Sequence, residues 1–215
     1  MAFNFKQFIY PTLCAHCQDR ISEGSVLCSS CLSFVILETQ EGRCPRCFSS
    51  DHQNPKYCPS SLIRRSLATI EKIGPAYSLF LCAKRGDRHL FAAIASLLSY
   101  QWLRFDLPLP DCIVPLASSS IRLGFDPNTF LATHLASLWD LPVECGIKQS
   151  WDYRRFFREA IIAPHFTLKT GLTDKRILLV ALDFDRFLFE QAAIALQPAF
   201  PKQIDALAFA CGYSL

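Results

Sequence analysis

The chain has no apolar run long enough to cross a bilayer. Stretches such as Leu90–Leu98 stop far short of the ~20 residues a spanning helix needs. A secretory leader is missing too, because Met1–Leu13 carries one Lys and no long apolar core. Strong net charge is also absent: over 215 residues the formal balance is +3. Any affinity for phosphate must therefore come from a local patch and not from a global field. These absences predict a cytoplasmic protein that does not insert into membranes. Cysteine, by contrast, is plentiful at eleven residues. In a secreted chain that number would predict disulfides. Here seven fall in one spaced pattern, while Cys82, Cys112, Cys145 and Cys211 are scattered among apolar neighbours, as small buried hydrophobes are. The distribution predicts a reducing compartment.

The spaced pattern is written twice. Cys14-x2-Cys17 is followed, after ten intervening residues, by Cys28-x2-Cys31. Thirty positions on, Cys44-x2-Cys47 is followed at the same distance by Cys58, but the eighth slot holds Ser61. A C-x2-C turn presents two thiolates to one ion, and two such turns supply the four soft tetrahedral ligands that Zn²⁺ prefers. Cys14, Cys17, Cys28 and Cys31 are accordingly expected to bind one zinc. For Cys44, Cys47 and Cys58, either His52 completes a site of three cysteines and one histidine, or Ser61 marks a ribbon that has lost its metal. The repeat favours sequential over crossed pairing. Zinc supplies on the order of 10 kcal/mol to a segment with little core of its own, so metal is expected to fold this region.

Basic residues are unevenly placed. From Arg43 to Arg88 there are nine Lys or Arg and three acids, whereas the first 42 residues hold Lys6 and Arg20 against four acids. Arg64, Arg65, Lys84, Arg85 and Arg88 are thus candidates for contact with a nucleic-acid backbone, with Arg154, Arg155 and Arg158 as a second group. An ordinary solvated basic face produces the same pattern.

The polar stretch Ser60–Ser66 divides the chain into a double zinc ribbon at 1–62, its second half incomplete, and a larger domain at 67–215. In the latter a strand is expected at Leu67–Ile73. Helices follow from Pro75 to about Lys84 and over His89–Arg104, then a buried strand at Asp111–Leu116. Asp126 caps a helix to about Trp139. Further strands are expected at Val143–Ile147, Arg176–Leu182 and Ile204–Ala210, with a helix from Asp183-Phe184-Asp185 to about Gln197. Trp151–Glu159 places its arginines at helical spacing. Strands alternating with helices predict an α/β fold around a mainly parallel sheet, with ligands at the carboxyl ends of its strands.

The order of parts resembles the ComF family: the cysteine repeat, Ile73-Gly74-Pro75, Lys84-Arg85-Gly86-Asp87, Val114-Pro115, Gly124-Phe125-Asp126 and Ile177–Val180. These bacterial competence-associated proteins join a double zinc ribbon to a type I phosphoribosyltransferase fold. The resemblance implies that fold, with helices on both faces of the sheet, and phosphoribosyl pyrophosphate (PRPP) with magnesium as ligand. It also implies a role in moving single-stranded DNA into the cytoplasm, with DNA or a DNA-uptake protein as partner.

The chain departs from that family where the chemistry belongs. Such proteins follow the Leu-Leu-Val strand with two adjacent acids for the ribose hydroxyls and a Thr/Gly turn whose backbone N–H groups wrap a phosphate. This chain has Ala181 and Leu182 in place of the acids, and Arg186, Phe187, Leu188 and Phe189 in the turn. Asp183 and Asp185 are the nearest carboxylates; Asp185 also reads as a helix cap. After Val114-Pro115 the arginine-rich segment is reduced to Arg122, and Ser118, Ser119 and Ser120 have no histidine partner, which excludes a hydrolytic triad. The sequence therefore predicts a fold that has kept its zinc and lost PRPP and magnesium chemistry, acting in binding or as a scaffold. An active phosphoribosyltransferase with an atypical site is the alternative, and a nucleic-acid adaptor unrelated to competence is a third.

Overall fold

A computed structural model describes residues 12–50, 54, 56, 58, 62–116, 124–151, 164–168 and 171–211. The expected parallel α/β sheet is present. Four strands, β1 (Arg65–Glu71), β2 (Cys112–Pro115), β5 (Arg176–Asp183) and β6 (Gln203–Cys211), pair in the order β1-β6-β5-β2, all parallel. Their sequences explain the burial. β5 reads RILLVALD, and every residue between its ends is buried, as a strand covered on both faces requires.

Alternation along the strands sorts the core into two layers. Leu178, Val180, Leu182, Leu207 and Phe209 face one way. They meet Ile94, Leu98 and Trp102 of α3 (Phe91–Arg104), and Leu131 and Leu135 of α4 (Pro127–Trp139). Ile177, Leu179, Ala181, Ala206 and Ala208 face the other way, against Phe189, Ala192, Ala193 and Leu196 of α5 (Arg186–Leu196). Alanine on both sides of that second layer lets the helix approach the sheet closely. A separate antiparallel pair, β3 (Ile147–Trp151) with β4 (Pro164–Leu168), packs beside α5.

Helix boundaries follow local chemistry. α2 (Gly74–Arg85) has Pro75 in its first turn and ends on Gly86 at φ 107°, where the N–H groups of Gly86 and Asp87 reach back to Ala83 O and Cys82 O. Asp126 caps α4 by accepting from the N–H groups of Asn128 and Thr129.

Two expectations shift. Val143 makes only an isolated parallel bridge to Ile113, and the strand expected there starts instead at Ile147. β1 begins at Arg65, inside the stretch read as polar, and ends at Glu71. His52, Ser61, Ser118–Ser120, Arg122, Arg154, Arg155 and Arg158 lie outside the described residues.

The cysteine-rich segment closes onto the sheet. It contains one short helix, α1 (Ser29–Ser33). Glu38 N donates to Thr69 O and Ser66 N to Pro45 O, both at 2.9 Å, so this segment covers the outer edge of β1. Gln101 of α3 donates to both Glu38 O and Ala68 O. Cys14, Leu27, Cys31 and Phe48 share one apolar cluster with Leu79, Phe80 and Ala83 of α2.

Candidate metal centres and the carboxyl end of the sheet

The seven repeat cysteines collect into two groups, Cys14/Cys17/Cys28/Cys31 and Cys44/Cys47/Cys58, with all ligand atoms of a group within 4.8 Å of one another. The grouping is sequential. Tetrahedral zinc with Zn–S near 2.3 Å implies sulfur–sulfur edges of about 3.8 Å, and Cys17 Sγ stands 3.6 Å from Cys28 Sγ. The first group therefore fits a structural zinc held by four thiolates. The second offers three thiols among the described residues.

Backbone donors prepare the thiolates. Burial works to raise the Cys14 thiol, but N–H groups of Cys28, Cys17 and His16 outweigh it and bring its pKa down to about 6. The bond from Cys28 N measures 3.3 Å. Cys44 is lowered too: burial opposes, while N–H groups of Cys47 and Arg46 and the Cys58 side chain favour the anion. Each group thus holds one thiol poised for metal, and the remaining protons leave on binding.

The first group packs on α2, which crosses the carboxyl ends of the strands; the second runs along β1, bonded to Ser66 near that strand's amino end and reaching the carboxyl side through Phe48. α2 starts just after β1, and Lys84 near its far end reaches Asp183, the last residue of β5, so the helix crosses that end of the sheet. His16 of the first ribbon meets Ser78 of α2 at 2.8 Å. The second ribbon stacks Phe48 against Phe184, ring centroids 6.0 Å apart, and Phe184 stacks on Phe189. Burial works against the charge of the Arg186 guanidinium, but its 3.1 Å bond to Glu190, with the fields of Cys47 and Cys58, favours the charged form.

The two candidate carboxylates are engaged, although Asp183 is only partly buried and Asp185 is exposed. Asp183 lies 2.8 Å from Lys72 Nζ, an ion pair not aligned as a hydrogen bond, and 3.5 Å from Lys84 Nζ. Both ammonium groups rest over the Phe80 ring. Asp185 caps α5, accepting from Leu188 N at 3.1 Å.

One participant had no sequence signal. Buried Asn128 donates to Leu116 O at 2.6 Å and accepts from Leu182 N at 2.9 Å, tying together the ends of β2 and β5. Its partners are 12 and 54 positions away. Only their convergence in space identifies it.

The nucleic-acid candidates separate. Arg64 and Arg65 stand at the amino end of β1, where Arg64 donates to Gln203. Lys84 stands at the opposite, carboxyl end, roughly 20 Å away by strand length. Arg85 is exposed at the end of α2, and Arg88 stacks on Phe125 at 4.4 Å.

Among the described residues no helix is long and apolar enough to cross a membrane. No protein-family model matches the chain, and no curated protein matches it. It is similar to solved phosphoribosyltransferases. One is a purine phosphoribosyltransferase from Pyrococcus horikoshii, 18% identical with TM-score 0.40, covering 56% of this chain and 73% of that one. Another is the L. donovani hypoxanthine-guanine enzyme, at 14%, 0.35, 62% and 67%. A third is a Trypanosoma cruzi hypoxanthine phosphoribosyl transferase, at 10%, 0.37, 60% and 74%. At these values no residue role passes from them to this chain.

Proposed function

We propose that the chain is a zinc-stabilised, ComF-like module of phosphoribosyltransferase type that does not use PRPP or magnesium and acts in single-stranded DNA handling of the competence kind, by contact with DNA or a DNA-uptake protein. The observation that carries the non-catalytic part is the state of the two carboxylates. Asp183 is held between Lys72 and Lys84, and Asp185 is spent on the cap of α5. A sugar hydroxyl or magnesium ion would have to displace two ammonium groups from the first and a helix-start N–H from the second. Hydrogen bonds to charged groups contribute about 1.5–3 kcal/mol each, so such exchanges leave little net affinity. The bulky turn at Arg186–Phe189 offers no glycine for backbone to close around a phosphate.

Calorimetry on zinc-loaded protein tests the reading. PRPP with magnesium should give no saturable heat at sub-millimolar concentration. Saturable, magnesium-dependent binding that disappears in Asp183→Asn/Asp185→Asn would restore the enzyme. The DNA half is read from salt dependence. Single-stranded oligonucleotide affinity should fall steeply with salt and weaken in Arg64→Glu/Arg65→Glu across all base sequences. Binding indifferent to both would remove nucleic acid from the proposal.

A further inference from the structure

At the end of the sheet opposite Asp183, where the strands begin, the chain leaves an open slot. β6 starts at Gln203 and β1 at Arg65. Beside them Leu62, Pro198, Phe200, Lys202, Gln203 and Ile204 line a cavity of about 560 Å³. That volume falls within the roughly 300–1,000 Å³ of ordinary ligand sites.

Phe200 is the unusual wall. Its ring is 80% exposed, more than any other large apolar side chain among the described residues. Its backbone, by contrast, is pinned: Phe200 N donates to Gln197 O at 2.9 Å, and Phe200 O accepts from Asp174 N at 3.1 Å. The pinned conformation is left-handed, φ 49°, and closes the 3-10 turn Gln197–Ala199 that follows α5. Glycine or asparagine adopts that conformation at less steric cost. An aromatic ring is thus held toward solvent at a position whose backbone favours glycine.

The polar groups beside the ring are of one kind. Gln203 is fixed on both sides, accepting from Arg64 Nη1 and donating to the Asp205 carboxylate. Arg64 and Lys202 are exposed, and neither forms an ion pair among the described residues. Of the neighbouring acids, Asp111 is taken by Arg176 at 2.9 Å and Asp205 is buried. Asp174 is the exposed one.

We propose that this slot binds single-stranded nucleic acid, with one base stacked on Phe200 and the flanking phosphates on Arg64 and Lys202. The proposal rests on the nucleic-acid half of the proposed function and gives it a place. A projecting ring between unpaired cations is how single strands are held, because every base offers a face for stacking and every linkage a charge. Duplex bases are already stacked on one another and cannot reach the ring. A free nucleotide suits the slot less well. Small-ligand sites bury most of their ligand, whereas a ring standing this far in the open lets a chain continue past it on both sides.

Anisotropy titrations of a labelled oligothymidylate with the zinc-loaded full chain test this. Phe200→Gly keeps the fold, since glycine accepts the left-handed backbone. It should weaken binding roughly tenfold, the loss of one stacked base, and leave the salt slope unchanged. Lys202→Ala should instead lower that slope by about 0.7, the value of one phosphate contact on a single strand. In Phe200→Trp the added indole fluorescence should be quenched as the oligonucleotide binds. A duplex of the same length should bind with equal affinity to the native chain and to Phe200→Gly. Salt-sensitive oligonucleotide binding that is indifferent to Phe200→Gly and leaves the Phe200→Trp indole unquenched overturns the slot but not the proposed function. Absence of any oligonucleotide binding overturns both. Thymidine 5′-phosphate binding as tightly as the oligonucleotide also overturns the proposal, and assigns the slot to a free nucleotide.

Discussion

Removing zinc should do more than melt the ribbons; it should loosen the edge of the sheet. The metal-binding segment has few apolar residues of its own, and those it buries (Leu27 and Phe48 among them) join the apolar cluster of α2 and the sheet. Structural zinc is worth on the order of 10 kcal/mol, comparable to the whole stability of a typical domain. The segment cannot stay folded without it. Its loss would strip β1 of the bonds from Glu38 N to Thr69 O and from Ser66 N to Pro45 O, and leave Gln101 without its bond to Glu38 O. At about 1 kcal/mol each, these amount to roughly 3 kcal/mol. For a domain of this size that is roughly 6–12 °C in melting temperature. Elemental analysis of untreated protein should give between one and two zinc ions per chain. Chelation, or Cys14→Ser, should lower the sheet's melting temperature by that amount and speed exchange at the β1 amides. Cys82→Ala, outside both groups, should leave zinc content unchanged. Quantitative zinc removal with unaltered melting and exchange would refute the coupling, and protein never exposed to chelator yet free of zinc would refute the ribbon.

Three further outcomes follow from single side chains. Arg186→Glu replaces a guanidinium whose charge the fields of Cys47 and Cys58 favour with an anion, and should weaken zinc at the second group by roughly tenfold while sparing the first, read by competition with a chromophoric chelator. His52→Ala should lower zinc content only if that histidine is the fourth ligand. Asp205, 4% exposed, has one carboxylate oxygen without a hydrogen bond, and burial raises its pKa despite Gln203, Arg65 and Arg64. The folded state therefore binds the proton more tightly than the unfolded state. Stability should fall as pH rises from the ordinary carboxylate value through the raised one. Asp205→Asn should flatten that slope and raise the melting temperature at neutral pH; an unchanged slope would rule the group out.

What was legible in the sequence was local. Asp126 before Pro127, Pro75 opening a helix that Gly86 closes, and the unbroken apolar run of β5 each set a boundary through chemistry within a few residues. The cysteine spacing is of the same kind, because two turns suffice to aim four thiols at one point. What was missed depends on distant partners. Ile147–Trp151 becomes a strand only by pairing with Pro164–Leu168, a short segment whose first residue lacks an N–H. Val143, the better strand former, meets the sheet at one bridge. Lys84 read as a surface cation, and nothing near it announced that it would share Asp183 with Lys72.

Those long-range contacts bear directly on the site. In an open parallel sheet the carboxyl ends of the strands are the natural place for a ligand, because loops diverge there and leave a crevice. Here three things converge on that place instead. Asn128 ties the ends of β2 and β5 through one carbonyl and one N–H. α2 lays Phe80 and two lysines toward the end of β5. The second ribbon sets Phe48 on Phe184. Each contact satisfies a polar group or covers a ring that an open crevice would leave to a ligand. Substituting Asp183 alone should therefore not create a PRPP site. It would leave Lys72 and Lys84 facing each other over Phe80, a pair better suited to a small anion than to a sugar.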